Sequence, residues 1–143
     1  MAEKWNYEYN QMIKKNEHLY RSLAVRFELS ECAFWILYIL RSNIAMLTQR
    51  DLCEYLYQPK QSVNTGIKKL IEKRYIELSS GDDKRIKYLE LTETGKVFCE
   101  KNIDRVIEAE KAVLTGLSDK EKEYMLEILQ KYEDLLEERL ELI

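Results

Sequence analysis

The sequence predicts a mainly helical α+β chain in which four helices precede one β-hairpin and two more helices follow it, and three observations carry that prediction. Apolar residues recur every three or four positions over most of the 143 residues, the spacing that lines up one stripe of a helix. Between Tyr75 and Leu91 the pattern changes to alternation, interrupted once by Ser79-Ser80-Gly81-Asp82-Asp83, as two strands joined by a turn require. The composition, 45% hydrophobic and 34% charged with four Gly and one Pro, suits a helix-rich folded chain and excludes disordered and all-β readings.

The first helix is amphipathic, with Trp5, Tyr9, Met12, Ile13, Leu19, Tyr20, Leu23 and Phe27 along one stripe. Ser30 is an N-cap for a second helix in which Phe34 to Leu40 are all apolar, so this helix belongs at the centre of the core. A break near Ser42 and Asn43 precedes Thr48, which with Gln49, Arg50 and Asp51 signals the start of a short third helix whose inner face is Leu52, Cys53 and Leu56. Pro59 is excluded from a helix interior but fits a first turn, so a fourth helix begins there and runs to about Lys73 on Val63, Ile67, Leu70 and Ile71. The alternating Tyr75–Leu78 and Arg85–Leu91 form the hairpin. Thr92 and Thr94 open a helix of about 20 residues, with Val97, Phe98, Ile103, Val106, Ile107 and Val113 inward, which Gly116 ends. Ser118 and Glu121 form a capping box for a last helix whose stripe runs from Met125 to Ile143 and needs a cover.

No run reaches the roughly 18 apolar residues that span a bilayer, and residues 1–10 lack the basic start and apolar centre of a signal peptide, so the expectation is a cytoplasmic protein with no membrane partner. Cys32, Cys53 and Cys99 have the wide spacing of ordinary reduced thiols rather than of a disulfide framework or a zinc site. The formal net charge of −3 hides an uneven distribution. Residues 58–88 carry eight basic and four acidic side chains, whereas residues 97–143 carry seven and thirteen. A basic middle beside an acidic end is what a nucleic-acid contact surface attached to helices with another task would show.

The third and fourth helices meet through a short turn at Tyr57 to Pro59, a helix-turn-helix arrangement, and the hairpin that follows makes it a winged one. The major groove admits one helix about 10–12 Å across and is read through hydrogen bonds to base edges. The outer face of the fourth helix carries Lys60, Gln61, Ser62, Asn64, Thr65, Lys68 and Lys69, with no acid before Glu72. Of these, Gln61, Ser62, Asn64 and Thr65 suit base edges, and the lysines suit phosphates. Lys84, Arg85 and Lys87 crowd the hairpin tip and second strand, where an arginine can enter the minor groove. Asp83 is placed to pair with Arg85 and to hold it.

The segments Leu47-Thr48-Gln49-Arg50-Asp51-Leu52, Gln58-Pro59-Lys60-Gln61-Ser62-Val63, Asp83-Lys84-Arg85 and Leu91-Thr92-Glu93-Thr94-Gly95-Lys96 together resemble the MarR family of bacterial regulators, and the likeness covers essentially the whole chain. The resemblance implies a winged helix-turn-helix lobe at 29–96, with dimerisation helices at 1–28 and 97–143. It also implies a recognition helix from Pro59 to Lys73, a wing from Ser79 to Lys87, and Arg85 as the wing arginine. Its further implications are a homodimer on double-stranded DNA at an inverted repeat, repression as the default outcome, and control by a small aromatic effector or by cysteine oxidation. Tyr9, Tyr20, Trp35 and Tyr38 are the candidate lining of an effector pocket, against the plainer reading of core packing. The family commonly has Gly where this chain has Arg74 at the end of the recognition helix, and Gly66 lies within that helix, at a cost of about 1 kcal/mol relative to Ala.

A second reading is a winged-helix module that dimerises or binds another protein without reading DNA. An enzyme is the third. His18 lies among polar helix residues, and no phosphate-binding glycine loop, nucleophile motif or metal-ligand spacing appears, so the sequence predicts no catalytic residue, metal or cofactor.

Overall fold

In the computed structural model, which describes residues 1–43 and 45–143, the elements follow the predicted order: α1 (Ala2–Arg26), α2 (Glu31–Ser42), α3 (Gln49–Leu56), α4 (Lys60–Glu72), β1 (Ile76–Ser80), β2 (Lys87–Leu91), α5 (Glu93–Lys101), α6 (Ile103–Thr115) and α7 (Asp119–Leu140). The chain divides into two compact units, Met1–Asp104 and Arg105–Ile143.

The core of the first unit forms around α2, whose Phe34, Ile36 and Leu37 are fully buried, together with Leu52, Val63, Leu70, Ile76, Leu89 and Ile103. Local chemistry sets where the helices start. The Ser30 hydroxyl accepts from the Ala33 amide at 3.1 Å. At the start of α3 the Asp51 amide donates to Thr48 Oγ1 at 3.2 Å while the Thr48 amide donates to Asp51 Oδ2 at 2.8 Å, a reciprocal box that satisfies two orphan donors. Hydrogen bonds to Thr48 hold the Asp51 carboxyl below its usual range.

α1 and α4 end alike. Leu29 and Glu28 amides donate to Ala24 and Val25 carbonyls, and Tyr75 and Arg74 amides donate to Leu70 and Ile71 carbonyls. Each is a Schellman closure, with Glu28 at φ 58° and Arg74 at φ 61° in the left-handed position. Arg74 therefore takes the conformation that glycine adopts more easily, at a cost of about 1–2 kcal/mol, offset in part by the two carbonyls satisfied.

Gly66 is explained by packing of α4 on α2: a Cβ there would lie 3.0 Å from Ile36 Cδ1 and 3.5 Å from both the Ala33 nitrogen and Cys32 Sγ. Gly95 is under a harder constraint, since a Cβ would fall 1.9 Å from the Tyr75 carbonyl oxygen. The same carbonyl accepts from the Thr92 amide at 3.0 Å, and the Thr92 hydroxyl donates to the Arg74 carbonyl while accepting from the Gly95 amide at 2.9 Å.

β1 and β2 pair antiparallel with Ile76 opposite Leu91 and Ser80 opposite Lys87. Their buried Ile76 and Leu89 anchor the hairpin, and the Leu89 amide donates to the Leu47 carbonyl at 2.8 Å, tying the segment before α3 to the same strand.

Five expectations are corrected. Ser79 and Ser80, expected in the turn, pair in β1 opposite Tyr88 and Lys87, because the antiparallel register extends past the alternating residues. The long helix from Thr92 to Gly116 is interrupted at Asn102, whose backbone leaves the helical range; its amide is shared between the Phe98 carbonyl at 3.1 Å and the Cys99 carbonyl at 3.2 Å, and its side chain adds a second donor to Phe98 at 3.0 Å, which tightens and closes the last turn. Val97 and Val113, expected inward, are 47% and 68% exposed. Ile71 lies at the edge of the inner face of α4, 37% exposed. The second strand begins at Lys87, two residues after Arg85, because Arg85 is held in the turn by Asp83.

In the second unit, the Ser118–Glu121 capping box starts α7 as expected. Among the described residues α7 contributes nothing to a buried core, and its Met125, Ile128, Leu135 and Leu140 stay exposed.

Candidate nucleic-acid interface

α4 is amphipathic in the sense a reading helix needs. Val63, Gly66, Ile67 and Leu70 are buried against the lobe, which turns Lys60, Gln61, Ser62, Thr65, Lys68 and Lys69 out to solvent and leaves Asn64 half-buried at the margin. The Thr65 hydroxyl donates to the Gln61 carbonyl at 3.0 Å, so toward a partner it presents its lone pairs and methyl group. Pro59 precedes the helix without a side-chain cap, and its first turn holds no acid. The positive end of the helix dipole is therefore uncompensated by the chain. Tyr57, in the left-handed conformation at φ 51°, turns the backbone from α3 into this start and is almost wholly exposed.

At the wing, Asp83 pairs with Arg85. Its Oδ1 accepts from the Arg85 amide at 3.0 Å and from Nε at 3.1 Å, and its Oδ2 accepts from Nη2 at 3.0 Å. The Arg85 side chain is nonetheless 90% exposed. The hydrogen bonds from Arg85 lower the Asp83 carboxyl below its ordinary value, and Asp83 in turn raises the guanidinium. An arginine otherwise free to rotate in water is thus oriented before any partner arrives. Lys84 is exposed beside it, and Lys87 Nζ donates to Ser80 Oγ at 2.7 Å across the strand pair.

The four aromatic residues expected to line an effector pocket separate into two places. Tyr20, Trp35 and Tyr38 gather around buried Phe34, with ring centroids 4.8 Å apart for Tyr20–Trp35 and 5.2 Å for Trp35–Tyr38. Tyr9 lies about 16 Å earlier along α1, at 1.5 Å per residue, and stacks on Trp5 at 5.2 Å. Trp35 also lines an open groove of about 500 Å³ with Tyr55, Leu56, Gln58 and Ser62. Cys32 and Cys99 are poorly suited to sensing oxidation through a thiolate. Burial pushes Cys99 up to about 12 against the pull of Arg41, and Cys32 is raised by burial first and then by Cys53 and Glu31.

Sequence reasoning missed the start of α3 as part of this surface. Arg50 is exposed there, and Gln49 and Arg50 share a groove with Lys60 and Lys87. Their place directly after the N-cap Thr48 was visible as a helix start, but the groove itself exists only once the wing folds back beside α3. Among the described residues no cluster of three or more His, Cys, Asp or Glu could hold a metal ion, and no helix is long and apolar enough to cross a membrane.

Residues 29–86 match the model of the MarR family. The chain is 33% identical over 98 residues to the uncharacterized HTH-type transcriptional regulator YwoH of Bacillus subtilis, covering 68% of this chain and 70% of that one. Among solved structures, the MarR family regulator NMB1585 of Neisseria meningitidis superposes with a TM-score of 0.79 at 25% identity, covering 93% of this chain and 94% of that one. S. aureus MepR in its DNA-binding conformation shares the fold at a TM-score of 0.77 and 22% identity, covering 92% and 98%.

Proposed function

From the premise that this chain belongs to the MarR family of DNA-binding transcriptional regulators, we propose that it is a cytoplasmic homodimeric repressor that reads a pseudo-palindromic operator and is released by a small ligand or another signal. The observation that carries the reading is the pairing of an exposed, acid-free polar face on α4 with an arginine that Asp83 orients at the wing tip. Gln61, Ser62, Asn64 and Thr65 offer hydrogen bonds to base edges in the major groove, and Arg85 suits the negative potential of the adjacent minor groove. Lys60, Lys68, Lys69, Lys84 and Lys87 supply contacts to phosphate. S. aureus MepR, which shares this fold, has been solved in complex with DNA.

The dimer is supported by the apolar stripes of α1 and α7, where Trp5, Met12 and Leu19 and then Met125, Ile128 and Leu135 are exposed in the single chain. Two copies of α4 about 34 Å apart would meet successive major grooves on one side of a duplex. A small aromatic effector is the class of ligand that the Tyr20–Trp35–Tyr38 cluster favours, and it would act only by binding two separations of the reading heads unequally.

Selection of bound sequences from random duplex DNA tests the reading. An inverted repeat with half-sites about one helical turn apart is expected, and Arg85→Ala should weaken binding and lower the salt slope by about two, one for each protomer. Recovery of no preferred duplex, with no binding at low ionic strength, would leave the protein-interaction reading in its place.

A further inference from the structure

We propose that the groove between the start of α3, the start of α4 and the base of the wing seats a phosphate of the DNA backbone, and that Arg50 joins Lys60 and Lys87 in holding it. The inference rests on the operator-binding reading and deepens it, because Arg50 belongs to neither the recognition helix nor the wing.

The groove has a volume of about 550 Å³ and receives cations from three elements, Arg50 of α3, Lys60 of α4 and Lys87 of β2. Thr48 and Gln49 add polar lining, and no acidic residue lines it among the described residues. Three like charges around one groove repel each other until an anion enters, and each of the three is available to one. Arg50 pairs with Glu54 at 3.2 Å, with side chains 88% and 67% exposed, a contact weakened by water and readily exchanged for phosphate. Lys87 donates to the neutral Ser80 hydroxyl and keeps its charge. Lys60 opens a helix whose first turn holds no acid.

The position of the groove identifies the anion. With α4 in a major groove and Arg85 in the neighbouring minor groove, the phosphate strand that divides the two grooves must cross between the start of α4 and the wing. Arg50, Lys60 and Lys87 stand around that crossing. A guanidinium binds a phosphate through two parallel hydrogen bonds, which fixes register as well as adding affinity.

Fluorescence anisotropy on the full chain, with the selected duplex and a scrambled duplex of equal length, tests the proposal across a salt series. Arg50→Gln is expected to weaken both duplexes alike, by about fivefold to tenfold at physiological salt, and to lower the salt slope by about two, one phosphate contact being lost from each protomer of the dimer. Lys87→Gln should do the same, Arg50→Lys should restore the slope, and Gln61→Ala should reduce discrimination while keeping the slope. Thermal melts confirm that the variants are folded. An unchanged slope in folded Arg50→Gln and Lys87→Gln, or a loss confined to the selected duplex, overturns the phosphate seat while operator binding stands. Failure of the unaltered protein to bind either duplex overturns both.

Discussion

At Arg85 a single neighbour decides what the side chain can do. Asp83 engages the guanidinium and the backbone amide together, so the turn and the side chain are fixed by one carboxylate, and the motif Asp83-Lys84-Arg85 was legible because all of that chemistry is local. The glycines were less legible, because what surrounds them is tertiary. Gly66 and Gly95 look equivalent as letters, yet one faces the end of the flexible Ile36 side chain and the other a rigid backbone carbonyl. Gly95→Ala is therefore expected to destabilise the protein by roughly 3 kcal/mol or more. Gly66→Ala should stay within about 1 kcal/mol of the parent, since better helix propensity offsets the crowding of Ile36. Urea denaturation midpoints distinguish the two, and equal losses would contradict the packing described.

Helix starts were the most readable elements, since Ser30, Thr48 and Ser118 each place a hydroxyl three residues before the amide it accepts from. Helix interruptions were not. Nothing in the apolar spacing from Val97 to Val113 marks Asn102, where the backbone amide is shared between the Phe98 and Cys99 carbonyls and the side chain folds back on Phe98 as well. The limits of the hairpin also shifted, because pairing register rather than alternation decides which residues join the ladder. The α3 box carries a pH signature. Hydrogen bonds to Thr48 lower the folded-state Asp51 carboxyl, so its stabilisation is complete above the ordinary aspartate value near 4 and is lost as pH falls through the depressed one. Asp51→Ala should cost about 0.5–2 kcal/mol at pH 7, and its deficit should narrow below about pH 4. Thermal melts from pH 7 to pH 3 check this, and a deficit that widens at low pH would contradict it.

Over the whole molecule the apolar residues of α1 and α7 stay exposed in the single chain, and the acidic balance of residues 97–143 sets that end of the sequence apart from the basic surface of α4 and the wing. Sequence periodicity showed these stripes without showing what meets them, because spacing within a helix holds no information about a second chain. Sedimentation at micromolar concentration should show a dimer, and Leu135→Glu, which puts a charge on the exposed stripe of α7, should shift it to monomer with the helix content kept. A parent protein that sediments as a monomer at every concentration would remove the symmetric arrangement. The knot formed by Arg74, Tyr75, Thr92 and Gly95 has a separate consequence. Because the two strands leave and return at one fastened point, and buried Ile76 and Leu89 hold their base to the lobe, only the tip beyond them can change without disturbing the core. Exchanging the segment from Gly81 to Lys84 for one of another length would alter what the finger touches while the lobe beneath keeps its shape, which gives this scaffold a natural place to vary its reach.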